Sequence, residues 1–361
     1  MFWRSGASLL VLIQAILFLP HHAFASAAIQ PQRPAPVTSS RKQLTEDSWT
    51  ISHAQHAYGL PEVKPKQKGT LTLDSQNITF AGKAVYRIPR ASVIAISDGS
   101  ERVEMWGMKG RLLRMAIPNG GGLAAAGFMH HKESSLTVEF RDPRGGYHAA
   151  VFVVPPADAT LAMATFAPRS DDSASTSEPV DITAPVANVC DGAAVKPGSV
   201  LIAAPVWEQV EVPASYRALV YEHLVDRMRR VQGVSQVYRE GEPGAQRGCP
   251  QSTVRVAIAG FRAGSQVKRA MMGPAGFFAG TTQMNFHVTM SDQAGMWNVN
   301  DDVKATVRGE SESKNIADSV AKNVAKRYAS ERAKFEKSQI VFTPTVKSNS
   351  QTQLSAAQRH E

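Results

Sequence analysis

Two stretches of this chain carry regular alternation of apolar and polar residues, and a stretch without pattern lies between them. In the first, Thr70–Leu73 (TLTL) alternates, Asp74-Ser75-Gln76 turns and Asn77–Phe80 (NITF) alternates again. Ala81-Gly82-Lys83 is a second turn, followed by Val85-Tyr86-Arg87-Ile88 and the apolar Val93–Ile96. Asp98-Gly99-Ser100 reads as a turn into Glu101–Trp106; later, Ser135–Phe140 alternates, Asp142–Gly146 turns and Tyr147–Val154 is strongly strand-like. Short alternating runs split by Gly and Asp turns predict an antiparallel sheet or small barrel. Pro156–Ala167 predicts a short helix, favoured by Ala and Leu and weakened by the prolines at its start.

In the second stretch the period changes. Ser199–Ala204 (SVLIAA) predicts an apolar strand. Over Ala214–Arg230, Tyr216, Val220, Leu224 and Met228 recur every fourth position with Leu219 beside them, which predicts a helix with one apolar face. Pro213 suits its first turn. Val234–Tyr238, Thr253–Ala259, Thr281–Met290 and Trp297–Arg308 predict strands, the last two joined by a turn at Asp292–Gly295. Ser313–Ala333 predicts a closing helix with Ile316, Val320, Val324 and Tyr328 as its stripe. The order β-α-β-β-β-β-α predicts an α/β two-layer sandwich, two helices on one mixed sheet. The fold class expected for the whole chain is α+β.

The boundaries follow from composition. Residues 1–25 read as a signal peptide, with Arg4, the apolar Ala7–Leu19 and the small-x-small Ala23-Phe24-Ala25. The apolar run is shorter than the roughly 20 residues a spanning helix needs; an uncleaved anchor is the alternative, and no second stretch could span a bilayer as a helix. Residues 26–68, with five scattered prolines among polar residues, read as a flexible arm. A β-rich domain takes 69–167, a Ser/Asp/Pro-rich linker 168–198, the α/β domain 199–335 and a tail 336–361.

Composition narrows the function. In 361 residues, 43% are hydrophobic, enough for real cores, and Lys plus Arg outnumber Asp plus Glu by 40 to 31. The excess is scattered, with no basic arm and no zinc-finger spacing, so no nucleic-acid partner is expected. An exported chain can oxidise its two cysteines, Cys190 and Cys249. Closing that loop would stabilise the fold by about 4 kcal/mol.

Gly260–Gly280 (GFRAGSQVKRAMMGPAGFFAG) stands out from both patterns. Glycines at 260, 264, 273, 276 and 280 loosen the backbone, while Arg262, Lys268, Arg269, Met271, Met272, Phe277 and Phe278 offer charge and apolar bulk. These seven residues form the candidate interaction surface; a flap over the domain's own sheet is the plainer reading.

Catalytic and metal motifs are not found. His53 and His56 lie in the arm without further ligands, and no HExxH is present. His130 and His131 are adjacent and point apart on a strand. His223 lies at the edge of a helix stripe, and His287 falls on the polar face of its strand with Gln283, Asn285 and Thr289. GxSxG is absent, and Gly120–Gly127 (GGGLAAAG) lacks the GxxxxGK lysine of a phosphate loop. Asp301, Asp302, Glu310 and Glu312 read as charged turns rather than a glycosidase pair. No catalytic, cofactor or metal residues are assigned.

The run GTLTLDSQNITFAGKAVYRIPRASVIAI resembles the opening meander of bacterial pleckstrin-homology and GRAM-like domains, which implies a small barrel that binds partners or lipid head groups. Ser199–Ala329 resembles a family of uncharacterised bacterial envelope proteins, often lipoproteins. The resemblance rests on Gly260, Gly264, Ser265, Arg269, Gly273 and Gly280, the Asp292–Gly295 turn and a helix of the type IADSVAKNVAKRY. It implies location and fold, similar to the α/β domains of curli-secretion and Tol-associated proteins, and no chemistry. Here Phe277-Phe278 replaces smaller residues and no lipobox cysteine is present. The expectation is a periplasmic or extracellular protein of non-catalytic interaction or assembly type, with an envelope protein or membrane surface as partner. A lipid or small-ligand module in the β-rich domain and an unrecognised hydrolase are the alternatives.

Overall fold

The computed structural model describes residues 48–104, 130–166, 190, 192–207, 211–244, 247–264, 281–307 and 315–341. All lie in one compact unit, Thr45–Glu361; the other unit, Met1–Leu44, falls outside the described residues.

The first sheet contains β1 (Ser48–Tyr58), β2 (Gln67–Asp74), β3 (Asn77–Ala81), β4 (Val85–Pro89), β5 (Val93–Glu104), β6 (His130–Arg141) and β7 (Tyr147–Val154). Its order is β4-β3-β2-β1-β7-β6-β5, antiparallel throughout. It does not close into a barrel, which corrects the small-barrel expectation. β4 and β5 stand at opposite ends of the order, joined by a 3-10 turn at Arg90–Ser92, and no ladder links them. Pro89 ends β4 with no N–H to donate to such a ladder.

β1 lies where the sequence reads as an arm. Trp49, Ile51, Ala54 and His56 are buried, but a bulge between Ile51 and Ala54 breaks the alternation that would reveal them. Asp98-Gly99-Ser100 is likewise not a turn. These residues pair with Leu136, Ser135 and Ser134 in mid-strand, so two expected strands are one.

The second sheet contains β8 (Val195–Ile202), β9 (Val206–Trp207), β10 (Gln236–Arg239), β11 (Cys249–Arg262), β12 (Thr282–Asp292) and β13 (Asn298–Val307). The order is β10-β8-β11-β12-β13, with β9 also beside β11. Pairing is parallel among β8, β9, β10 and β11 and antiparallel from β11 to β13, so the sheet is mixed. Among the described residues three helices complete the fold: α1 (Pro156–Phe166), α2 (Ala214–Met228) and α3 (Asn315–Val341).

Two hydrophobic clusters meet at β7. Ala150, Phe152 and Val154 enter the first, with Phe80, Leu136 and Ala159 of α1. Tyr147, Ala149 and Val151, on the other face, enter the second with Val220 and Leu224 of α2 and Val320 of α3. A strand buried on both faces has no polar side, which is why Tyr147–Val154 reads as nearly continuous apolar sequence. α2 packs on β7, on the second sheet and on α3. Tyr216, Leu219, Val220, Tyr221, Glu222 and Val225 are all buried, so the helix is covered well beyond the single stripe its periodicity predicts.

Candidate functional site

Of the candidate interaction surface, only Arg262 is described: it is exposed at the end of β11. Lys268, Arg269, Met271, Met272, Phe277 and Phe278 lie outside the described residues, as do Gly120–Gly127, Glu310 and Glu312. The strands on either side of Gly260–Gly280 are paired, from Ser252 with Asp292 to Arg262 with Gln283, so this stretch connects neighbouring antiparallel strands.

Cys190 and Cys249 form a disulfide, with Cα atoms 5.2 Å apart. Cys249 is fully buried at the start of β11, paired with Val195 at the start of β8. The bridge holds the chain entering the second sheet against that sheet's central strand.

A cleft of about 310 Å³ lies between the β1–β2 loop and α2. His56 builds the loop. Its Nε2 accepts from the Leu60 N–H at 3.0 Å, its Nδ1 donates to the Lys64 carbonyl at 3.2 Å, and the His56 carbonyl accepts from the Lys66 N–H at 2.8 Å. One ring nitrogen accepting and the other donating requires neutral imidazole; burial lowers the His56 pKa accordingly. Gly59 starts the loop at φ +100°, where a Cβ would strike the Ala149 carbonyl.

The helix wall is held by Tyr58. Its hydroxyl donates to Asp226, and its ring lies 4.2 Å from that of His223. Burial and the Asp226 carboxylate push the phenol pKa up, so it remains a donor. On its other side His223 approaches Asp318 of α3 at 3.7 Å, and Arg227 holds that carboxylate with bonds of 2.7 and 2.8 Å.

The floor is a buried ion pair. Arg239 of β10 donates to both oxygens of Glu222 of α2 at 2.9 and 2.7 Å. Arg239 also donates to the Tyr147 carbonyl at 3.0 Å, and Glu222 accepts from the Ala149 N–H at 3.0 Å. One pair thus joins both sheets through the helix between them. Burial opposes the guanidinium charge, but Glu222 outweighs it and raises the Arg239 pKa. Beside them His148 is held below its ordinary value by burial and by the Arg239 charge, with Asp142 at 3.4 Å.

The remaining chemical candidates are dispersed. His53 is exposed and His56 buried, so they share no site. His287 meets Asp302 of β13 at 2.7 Å, while Asp301 meets Arg327 of α3 at 3.2 Å; the two carboxylates take opposite faces of the strand. The hydrogen bonds and ion pairs described for His223 and His287 join them to carboxylates and to no serine. Among the described residues no cluster of His, Cys, Asp and Glu could hold a metal ion, and no helix is long and apolar enough to cross a membrane.

Sequence reasoning missed Tyr58, Glu222, Asp226 and Arg239. For Glu222 a signal existed: it stands between Leu219 and Val225 at three-residue spacing, a carboxylate on an apolar face.

No family model and no curated protein match this chain. Among solved structures, the PelC dodecamer from Paraburkholderia phytofirmans is 14% identical, over 37% of this chain and 88% of that one, with a TM-score of 0.26. A variant of the same dodecamer is 15% identical, over 37% and 86%, with a TM-score of 0.25. A protein titled only as uncharacterised is 12% identical, over 41% and 98%, with a TM-score of 0.21. Likeness at this level assigns neither fold nor activity.

Proposed function

We propose that this chain is an exported cell-envelope protein, periplasmic or extracellular, with a non-catalytic role in interaction or assembly and an envelope protein or membrane surface as its partner. Export is supported by Arg4, the apolar Ala7–Leu19 and the Ala23-Phe24-Ala25 signature, and by a disulfide, which cytosolic proteins seldom keep. The observation that carries the non-catalytic reading is how the cleft's polar groups are used. Tyr58, Asp226, Glu222 and Arg239 each hold one element of the chain to another. A general acid or base needs a proton position open to substrate, and these positions are filled by the fold.

One observation favours a second reading, small-ligand binding. The cleft's volume of about 310 Å³ sits at the lower end of ligand pockets.

A single experiment separates the two. The protein is tagged at its C-terminus, expressed at native level, cross-linked and captured from the envelope fraction, then examined by native mass spectrometry. The interaction reading expects a chain beginning at Ser26 and a specific partner. Joint Phe277→Ser and Phe278→Ser replacement should reduce partner recovery at least several-fold without moving the unfolding midpoint. Recovery of no specific partner sinks it, and an added small-molecule mass on the uncomplexed chain transfers the case to the ligand reading.

A further inference from the structure

The edges of the two sheets are unequally guarded. β4 has five residues and ends in Pro89, β10 has four, and β5, with twelve, carries a bulge between Val93 and Ala95; short length, proline and bulges all discourage strand addition. β13 has ten residues, no proline, and pairs with β12 along its length. Among the described residues no strand lies on its other side, so alternate residues turn N–H and C=O groups outward. A charge pointing inward is a common guard for such an edge. Asp301 occupies that position, but Arg327 of α3 neutralises it from 3.2 Å.

We infer that β13 pairs antiparallel with β13 of a second copy of this chain, continuing the six-stranded sheet of each copy into the other across a two-fold axis. The charges of the strand select the register. Val299, Val303, Ala305 and Val307 face the helix layer, so alternation puts Asn298, Asn300, Asp302, Lys304 and Thr306 on the other face. A two-fold axis perpendicular to the sheet keeps each face together, which allows only registers centred on a residue. Centred on Val303, Asp302 stands opposite Lys304 of the second copy, and Lys304 opposite its Asp302. Val303 then meets itself, Val299 meets Val307, and Asn300 meets Thr306. Centring on Asp301 or Asp302 sets a carboxylate against itself, and centring on Lys304 sets an ammonium against itself. Opposite charges directly across a strand pair are favourable and like charges unfavourable. Asp302 is available for this contact: its side chain is 89% exposed, and only one of its oxygens meets His287.

This inference goes beyond the envelope reading and does not rest on it. Sedimentation velocity of the exported chain over a concentration series should show a monomer–dimer equilibrium that weakens with added salt. Lys304→Asp should raise the dissociation constant at least tenfold, and joining it to Asp302→Lys should restore association. Both native cysteines are in the disulfide, so Val303→Cys adds a single thiol. A residue opposite itself has a Cα separation of about 4.5–5.5 Å, within disulfide reach. Mild oxidation should therefore give a covalent dimer through position 303. A chain that stays monomeric at every concentration overturns the inference. So does a dimer that is indifferent to Lys304→Asp and not cross-linked by Val303→Cys.

Discussion

Glu222 is 3% exposed and Arg239 5% exposed, so neither charge has water to fall back on. Removing one partner leaves the other buried and unpaired, which costs more than the pair itself contributes. Glu222→Ala should destabilise the protein by about 3–5 kcal/mol in chemical denaturation, because the guanidinium loses its carboxylate and the Ala149 N–H its acceptor. Replacing both together, Glu222→Leu with Arg239→Met, should recover most of that loss. A single substitution costing under about 0.5 kcal/mol, the range of an ordinary surface change, would mean that water reaches the pair. The sequence marks Glu222 by its place among Leu219 and Val225. It does not mark Arg239, since a four-residue strand carries too little period to show which face its arginine takes.

Elements with an unbroken period were legible and those with an interrupted one were not. β2 and β3 alternate cleanly, β12 alternates over most of its length, and the α3 stripe from Ile316 to Tyr328 is buried as its spacing predicts. β1 hid behind its bulge, and β5 behind a mid-strand Asp-Gly-Ser that looks like a turn. Whether a sheet closes was not legible at all. Closure depends on two edge strands meeting, and nothing within either strand's own sequence encodes that. The disulfide was legible from cysteine count together with the expectation of export. Its bond ties Cys190 to the start of β11, beside the first residue of β8. Reduction should therefore lower stability by about 4 kcal/mol, seen as an earlier denaturation midpoint with reductant. A midpoint that does not move would show that the fold alone holds the start of β8 in place.

At the scale of the whole molecule, β7 and α2 pack the two sheets into one compact unit, which should unfold as one. Trp49 lies in the first cluster and Trp297 in the second, and β7 contributes side chains to both. Variants retaining only Trp49 or only Trp297 should report the same unfolding midpoint, and fragments 26–167 and 190–361 should fail to fold separately. Two distinct midpoints would show that the sheets are thermodynamically independent. The linker-like composition between the regions suggests such independence, because composition reports how a connection is built and not what the connected parts bury against each other.

The doubly buried β7 also sets a timetable. A chain made from its N-terminus completes Tyr147–Val154 well before Ala214–Met228 exists. Through that interval Phe152 and its neighbours can shelter within the first cluster, whereas Tyr147, Ala149 and Val151 have nothing to cover them. The nascent chain carries a wet apolar wall, a natural foothold for a holdase chaperone, until the helix arrives and shuts it.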